Sequence, residues 1–221
     1  MTGPANTAKE QPYLPPMGRS WLLPLYDPLS RLAGVTRVHD QLLDRADLRP
    51  GQQVLEIGCG TGNLLLALAR RRRDVQMIGI DPDPGALRKA RRKAARAKVP
   101  IRFDRAYAGE LPFPDGGIDR ILSSFMLHHL DDREMARTAA EIRRVLRPNG
   151  QLHVVDTGGA AHEHGLSARL ARHHPRLASD LVDRVLTALH DAGLTDIAEA
   201  GRGRGRLGSH VFYRARGCPP R

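Results

Sequence analysis

The chain has 221 residues, of which 41% are hydrophobic and 4% aromatic, and its formal net charge is +11. This length suits one α/β domain with short additions, and the hydrophobic share is sufficient for a core of mainly aliphatic side chains. No apolar run approaches the roughly 20 residues that span a bilayer, and the N-terminus has no apolar signal-peptide segment.

The positive charge raises the question of a nucleic-acid partner. Basic residues are concentrated in three runs, at 70–73, 88–98 and 202–206. The first two runs fall on predicted helices, where solvated basic faces are common. Arginine far outnumbers lysine, and a GC-rich genome produces the same bias without any nucleic-acid partner. We therefore predict that nucleic acid is not the partner.

The two cysteines bear on the cellular setting. Cys59 lies in a glycine-rich turn and Cys218 lies in a proline-containing tail. A disulfide between these two places is not expected, so we predict reduced thiols and a cytoplasmic location. Monomer and homodimer both remain open.

The N-terminal part is predicted to differ from the rest of the chain. Residues 1–18 contain prolines and polar residues and are predicted to be a disordered leader. A helical lid is predicted over 19–45, where apolar residues recur at helical spacing between Pro24, Pro28 and Gly34.

From residue 46 onward, strands and helices alternate. Strands are predicted at 53–57, 75–80, 101–106, 119–123, 151–156, 195–200 and 210–214, and helices at 64–72, 84–97, 131–146 and 177–192. Asp83 followed by proline, and Asp131 with Glu134, are helix-start signals, and Pro148-Asn149-Gly150 is a turn signal. The alternation predicts an α/β domain over 46–215 with a Rossmann-like, mostly parallel sheet of seven strands and helices on both faces, followed by a flexible tail at 216–221.

A glycine-rich turn follows the first predicted strand. Gly58, Gly60 and Gly62 are preceded by Glu56 and followed by a predicted helix. Glycine permits close approach of a ligand to the backbone, and free N–H groups at a helix start suit an anionic group. The G-x-G-x-G spacing is one residue shorter than the dinucleotide fingerprint, and no phosphate-binding loop motif is present.

Polar or small residues follow the other predicted strands, at Asp81, Ala106-Tyr107 and Ser123-Ser124. Because the carboxyl ends of parallel strands meet at one edge of a sheet, we expect these residues to share a pocket with Glu56.

The stretch 54–63, Val-Leu-Glu-Ile-Gly-Cys-Gly-Thr-Gly-Asn, resembles the first motif of the class I S-adenosylmethionine (SAM)-dependent methyltransferases. Further motifs follow in the family's order: Gly-Ile-Asp at 79–81, Glu-Leu-Pro-Phe-Pro-Asp at 110–115, Leu-His-His-Leu at 127–130 and Arg-Val-Leu-Arg-Pro-Asn-Gly at 144–150. They are similar to those of the ubiquinone/menaquinone-biosynthesis C-methyltransferases and many small-molecule methyltransferases. The resemblance is good over 54–156 and weaker over 22–48, where this subgroup often has a lid with a Tyr-Asp pair like Tyr26-Asp27.

The resemblance implies SAM as cofactor and S-adenosylhomocysteine as product. The SAM carboxylate suits the glycine-loop N–H groups near Asn63, the amino group suits carbonyls around Gly58 together with Glu56, and Asp81 can accept the ribose hydroxyls. The residues expected at the cofactor are Tyr26, Glu56, Gly58, Cys59, Gly60, Gly62, Asn63, Asp81, Pro82, Tyr107, Ala108 and Ser124. For Glu56 a structural cap of the loop, and for Asp81 a turn-forming role, remain alternatives.

One position departs from the family pattern. The subgroup often has Gly-Asp-Ala before its Leu-Pro-Phe run, and that aspartate is implied to bind the adenine amino group. Here the residues are Ala106-Tyr107-Ala108. Adenine recognition is therefore expected to depend on Ala108 backbone and on packing by Pro82 and Leu87, with Tyr107 stacking or hydrogen bonding.

Methyl transfer from a sulfonium mainly requires alignment, and a base is needed only if the acceptor must lose a proton. His129, with His128 as second choice, follows the fourth strand and is the predicted base, a packing role being the alternative. Four further histidines, His162, His164, His173 and His174, lie in a region that usually lines the acceptor pocket in the resembled family. We predict no metal site there.

These observations predict a SAM-dependent methyltransferase that transfers a methyl group by in-line displacement to a small organic acceptor on O, N or C. A SAM-binding protein without activity, serving as a regulator or partner subunit, is one alternative. An RNA methyltransferase that uses the basic surface is another. The absence of a polar-Pro-Pro-aromatic motif after the fourth strand, and of a suitably placed nucleophilic cysteine, argues against a base substrate.

Overall fold

The computed structural model describes residues 34–158, 177–206 and 208–218. The predicted leader, most of the predicted lid with Tyr26, and the histidines at 162, 164, 173 and 174 lie outside this part of the chain. The predicted limits of leader, lid, domain and tail therefore stay predictions.

Seven strands form one sheet in the described chain, in the order β3-β2-β1-β4-β5-β7-β6. They are β1 (Gln53–Ile57), β2 (Gln76–Asp81), β3 (Ile101–Arg105), β4 (Ile118–Ser124), β5 (Leu146–Thr157), β6 (Thr195–Gly205) and β7 (Gly208–Arg216). Neighbours from β3 to β5 pair in parallel, and β7 runs antiparallel to both β5 and β6. The predicted mostly parallel α/β sheet is confirmed.

Five α-helices accompany the sheet in these ranges. They are α1 (Val35–Arg45), α2 (Asn63–Arg71), α3 (Pro84–Ala97), α4 (Asp132–Val145) and α5 (Leu177–Asp191). The predicted start signals are confirmed: Asp83 accepts a hydrogen bond from the Gly85 N–H, and Asp131 and Glu134 form a capping box. None of the described helices combines the length and apolar character needed to cross a membrane.

The helices lie on both faces of the sheet because the strand side chains alternate. Leu55 belongs to a buried cluster with residues of α4 and α5, whereas its neighbour Val54 belongs to a second cluster with α1, α2 and α3. Both residues are fully buried, as expected for a parallel strand covered on two sides.

β5 begins earlier than its predicted start at residue 151. Leu146 already pairs with Ile118, and the register then shifts before Gln151 pairs with Arg120. The predicted turn residues form an irregularity inside the strand, with Asn149 in the left-handed region at φ 61°. The turn predicted at 148–150 is therefore replaced by an irregular stretch of strand, and the extension arises from pairing with β4, which local sequence does not specify.

Candidate active site

The residues predicted to share a pocket lie at the carboxyl edge of the sheet. β1 ends before the glycine turn, β2 ends at Asp81, β4 ends at Ser124, and β5 ends at Thr157 after Asp156. The parallel pairing of β2, β1, β4 and β5 brings these ends together. Ligands of open α/β sheets bind at such an edge.

All three glycines of the turn have positive φ, which an L side chain rarely adopts. A Cβ atom at Gly58 would lie 2.4 Å from Met126 Cγ, and one at Gly62 would lie 3.1 Å from atoms of Ala90 and Phe103. At Gly60 no atom of the described residues lies within 4 Å of that position. The outer glycines are thus also required by packing, whereas the described residues leave room at the middle one for a ligand to approach.

Backbone hydrogen bonds hold the turn against the end of β2. The Cys59 N–H donates to Ile80 O at 2.9 Å, and the Gly60 N–H donates to Asp81 Oδ2 at 2.8 Å. The Cys59 side chain is buried beside Gly79, where a Cβ atom would lie 2.9 Å from Sγ. Burial raises the pKa of the Cys59 thiol, so we expect Cys59 to contribute through its backbone and its thiol to be unreactive.

Two buried carboxyl groups, Glu56 and Asp81, lie close to each other at the turn, being 3% and 6% exposed. Burial, reinforced by the charge of Asp81, raises the pKa of Glu56 well above its ordinary value, against a hydrogen bond from the Leu65 N–H and the charge of Lys93. Burial also raises the pKa of Asp81 to about 6. Both groups are therefore stabilised in the ionised form by any cation that enters the site.

The two acids differ in their hydrogen bonding. Each Asp81 oxygen accepts one backbone N–H, from Gly60 at 2.8 Å and from Asp83 at 2.9 Å, and a carboxylate oxygen can accept more. Glu56 accepts from Leu65 in the first turn of α2, which agrees with the alternative of a structural cap. Its Oε2 is buried and has no hydrogen-bond partner in the described structure. Glu56 thus combines a capping contact with an unused acceptor.

Lys93 of α3 is a site residue that sequence reasoning missed. Its Nζ donates to Thr61 Oγ1 at 3.2 Å and to Asn63 Oδ1 at 2.5 Å, so it links α3 to the turn and to the first residue of α2. The basic run 88–98 was interpreted as a solvated face. A signal was available in the helical spacing, because Lys93 directly precedes Ala94 and follows Ala90 by three residues, and both alanines are buried in the structure.

We expect Lys93→Met to weaken S-adenosylhomocysteine binding about tenfold, because loss of charge-assisted hydrogen bonds leaves the turn less well ordered. Isothermal titration calorimetry at neutral pH measures this change. Arg92→Met, at an exposed position of the same helix, is the matched control and should bind like the wild type. Equal dissociation constants for the two variants would show that Lys93 does not position the turn.

The end of β4 contacts α1. Ser124 Oγ and His39 Nε2 are 3.0 Å apart, and burial lowers the pKa of His39 to about 4, so this histidine is neutral at physiological pH. Phe125 follows with φ 52°, an uncommon conformation for an aromatic residue. Strained backbone of this kind clusters at functional sites. No sequence signal linked His39 to Ser124.

His128 and Asp156 form a hydrogen-bonded pair near the segment that follows β4. His128 Nδ1 lies 2.6 Å from Asp156 Oδ1, and the Asp156 side chain is fully buried. The same carboxylate accepts backbone N–H groups of Leu127 at 2.8 Å and of Thr157 at 2.7 Å. These donors hold the carboxylate in place, and the carboxylate fixes the proton on Nδ1, which leaves Nε2 of His128 as a proton acceptor.

The predicted base, His129, lies next to this pair but is not hydrogen bonded to Asp156. Its ring centroid is 4.0 Å from that of His128, and its side chain is exposed and makes no hydrogen bond to the described residues. Partial desolvation and the adjacent His128 lower the pKa of His129. Geometry therefore favours His128 over His129, because only His128 is oriented by a buried carboxylate.

The predicted adenine end of the site is less elaborate. Tyr107 is half-buried, and its backbone forms a single antiparallel β-bridge with Glu110. Ala108 packs against the core cluster that includes residues of α4 and α5. Pro82 O accepts a hydrogen bond from Arg105 Nε at 3.1 Å. No group of side chains suited to a metal ion occurs within residues 34–158, 177–206 and 208–218.

The observed residues fit the cofactor that the sequence implies. SAM carries an ammonium group, a sulfonium, two ribose hydroxyls and a carboxylate. The unpartnered Glu56 Oε2 and the remaining acceptor capacity of Asp81 suit the cationic and hydroxyl groups, and the open space at Gly60 admits a ligand to the backbone. The start of α2 supplies N–H groups for the carboxylate.

Comparison with known proteins agrees with this geometry. The sequence model described as a methyltransferase domain matches residues 54–150. The chain is 33% identical over 160 residues to an uncharacterised methyltransferase of Geobacillus kaustophilus, a match that covers 71% of the chain and 70% of that protein. It is 36% identical over 140 residues, 62% of the chain, to a demethylmenaquinone methyltransferase of Thermus thermophilus, of which the match covers only 63%. The chain thus spans less than two thirds of the Thermus protein.

A solved structure shares the fold. Phosphoethanolamine N-methyltransferase 2 of Haemonchus contortus, in complex with SAM, superposes with a TM-score of 0.65 at 16% identity, over 83% of this chain and 53% of that one. The sequence match to the Geobacillus methyltransferase, the matching domain and the glycine turn between two buried acids lead to one conclusion. The chain belongs to the class I SAM-dependent methyltransferase family.

Proposed function

We propose that the chain binds SAM at the carboxyl edge of its sheet and transfers the methyl group to a small organic acceptor. The observation that carries this proposal is the pair of buried acids at the glycine turn, with Glu56 Oε2 unpartnered and Asp81 bonded to the turn backbone. A cation with vicinal hydroxyls satisfies both acids in one ligand. Membership of the methyltransferase family supports the same ligand.

The residues proposed to hold the cofactor have separate tasks. Asp81 accepts the ribose hydroxyls while fixing the Gly60 N–H, Glu56 receives the amino group, and Lys93 fixes the turn from the α3 side. When bound, SAM supplies a methyl group on a positively charged sulfur that is already activated for displacement. The protein therefore needs to align an acceptor and exclude water, and alignment alone can contribute several kcal/mol.

His128 is the residue that we propose to take the acceptor's proton. Its Nε2 is free to accept because Nδ1 is engaged by Asp156, and the imidazolium that forms is stabilised by the same buried carboxylate. This arrangement favours an acceptor with an ionisable hydroxyl. Removing the proton of a ring hydroxyl activates either the oxygen or a neighbouring ring carbon, so both O- and C-methylation are compatible with it.

The name of one relative supports this acceptor class. The Thermus protein is named for demethylmenaquinone, an aromatic quinone that becomes a dihydroxy ring when reduced. A reduced, short-chain demethylmenaquinone analogue is therefore the first acceptor to test. The alternative of a SAM-binding protein without activity is less favoured, because such a protein does not need a proton-accepting histidine oriented by a fully buried carboxylate.

Two measurements test the proposal in order. Calorimetry with SAM and S-adenosylhomocysteine should show one site, and failure of both to bind would refute it. Mass spectrometry of acceptor mixtures incubated with methyl-labelled SAM should then show a product 14 mass units heavier plus the label, together with S-adenosylhomocysteine. Binding without turnover on any acceptor would favour the non-catalytic alternative.

A further inference from the structure

A polar cavity lies at the amino ends of the strands, on the edge of the sheet opposite the candidate active site. Its volume is about 380 Å³. The charged residues that line it are Asp47, Arg49, Asp119, Arg120, Arg147 and Arg216. Four arginines thus face two aspartates, which leaves an excess of positive charge in a cavity large enough for a small molecule.

Arg120 is the most deeply buried arginine of this cavity, with only 5% of its surface exposed. Its guanidinium donates to three backbone carbonyls, Ala46 O at 3.0 Å, Asp119 O at 3.0 Å and Asp47 O at 3.2 Å. None of the ion pairs found among the described residues includes it. Burial lowers the pKa of Arg120, and the nearby charges of Asp47 and Asp119 oppose this effect without forming an ion pair with the guanidinium. Buried cations that lack an ion-pair partner are rare in proteins.

The other three arginines lie nearer to solvent and pair with acids. Arg147 Nη1 lies 2.8 Å from Asp119 Oδ1, and Arg216 Nε lies 3.2 Å from Asp196 Oδ2, outside the cavity lining. The Arg147 and Arg216 side chains are 46% and 45% exposed. The Arg216 pair is exposed on both sides and such pairs are weak, so its guanidinium can turn to a ligand at little cost. Arg147 contacts the less exposed Asp119 through Nη1, so its other guanidinium N–H groups can donate to a ligand while this pair persists.

The backbone shapes two sides of the cavity. Asp47 and Asn149 both line it and are both in the left-handed region, at φ 42° and 61°. Asparagine and aspartate adopt this conformation more readily than other residues apart from glycine, so two tight turns form part of the cavity wall. Asn149 belongs to the irregularity of β5.

We propose that this cavity is a binding site for a small anion with at least two acidic oxygens, either a phosphate or a polycarboxylate. Guanidinium groups bind such oxygens in pairs through their planar arrangement of donors. The cavity is separated from the active-site edge by the length of β1, whose five residues span about 17 Å. The proposed site is therefore distinct from the cofactor site and does not depend on the proposed methyl transfer.

Calorimetry on the full chain tests the proposal with two probes, inorganic pyrophosphate and citrate, in 150 mM NaCl to suppress diffuse attraction to the basic surface. We expect one bound anion per chain, and a dissociation constant at least about tenfold higher in the double variant Arg147→Gln/Arg216→Gln. Binding of pyrophosphate alone would identify a phosphate ligand, and binding of citrate alone a polycarboxylate. Binding of both would support the shared chemistry.

Arg73→Gln, an exposed position outside the cavity lining, is the matched control and should bind both anions like the wild type. The affinity for S-adenosylhomocysteine should be the same in all three proteins, which shows that the double variant is folded. The proposal is refuted if neither anion binds with defined stoichiometry. It is equally refuted if the double variant binds as tightly as the Arg73→Gln control.

Discussion

Asp81→Asn is expected to weaken S-adenosylhomocysteine binding roughly 100-fold at pH 8 while leaving the stability of the ligand-free protein nearly unchanged. The large loss arises because an amide cannot supply the two charged acceptors that the ribose hydroxyls require. Calorimetry gives the affinity, and thermal unfolding of the ligand-free protein gives the stability.

The stability hardly changes because two effects oppose each other. Burial raises the pKa of Asp81 from 3.8 to about 6, which corresponds to about 3 kcal/mol of disfavoured ionisation. Removing the charge relieves this cost above pH 6. In the variant, one of the N–H groups of Gly60 and Asp83 faces an amide NH₂, which costs about 1–3 kcal/mol.

The raised pKa also fixes the direction of the pH dependence. Asp81 binds its proton more tightly in the folded than in the unfolded chain, so its contribution to stability is present below pH 3.8 and is lost as the pH rises through about 6. Cofactor binding requires the ionised form and changes in the opposite direction. We expect wild-type affinity to fall between pH 8 and pH 5, and the difference between wild type and Asp81→Asn to shrink there.

Asp74→Asn is the matched control, since Asp74 is an exposed acid in the loop before β2 and pairs only with Arg72 among the described residues. Its affinity for S-adenosylhomocysteine should match that of the wild type at both pH values. If Asp81→Asn binds within threefold of this control at pH 8, the ribose role is wrong and Asp81 serves only to fix the turn.

Sequence reasoning recovered those features of the fold that are encoded locally. β1 and α3 were predicted at their observed limits, because an apolar run before glycine and an Asp-Pro start are local signals. The position of Asp81 at the end of β2 and the glycine turn after β1 were predicted for the same reason. The extension of β5 was not predicted, because it depends on pairing with β4.

The contacts that complete the two sites are not local. His39 meets Ser124 across 85 residues of sequence, Lys93 meets Thr61 across 32, and Arg120 meets Ala46 across 74. Each pair lies on different elements, and its geometry is set by how the helices pack on the sheet. Periodicity can place Lys93 beside the buried face of α3, but it cannot say which loop the side chain reaches.

The choice between His128 and His129 shows the same limit. Both follow β4 in the Leu-His-His-Leu motif, and residue type alone does not separate them. The deciding observation is Asp156 at the end of β5, 28 residues later, which reaches only His128. The parallel pairing of β4 with β5 creates this contact.

His128→Ala is expected to lower kcat about 10²–10⁴-fold for an acceptor that must lose a proton, because the variant has no group to accept it. The affinity for S-adenosylhomocysteine should stay at the wild-type value, since His128 is not among the residues proposed to hold the cofactor. Single-turnover methyl transfer, measured with the reduced demethylmenaquinone analogue or whichever acceptor is identified, separates the two effects. Free imidazole should restore part of the rate, because 29% of the His128 side chain is exposed to solvent.

His129→Ala is the natural control, since it removes an adjacent imidazole that no buried carboxylate orients. It should retain kcat within about threefold, as expected for a residue that does not transfer the proton. The reverse result, with activity lost in His129→Ala and kept in His128→Ala, would return the role of base to His129 and reduce the His128–Asp156 pair to a structural contact. Loss of activity in neither variant would mean that the acceptor reacts without prior loss of a proton, and alignment by the pocket would then account for the whole reaction.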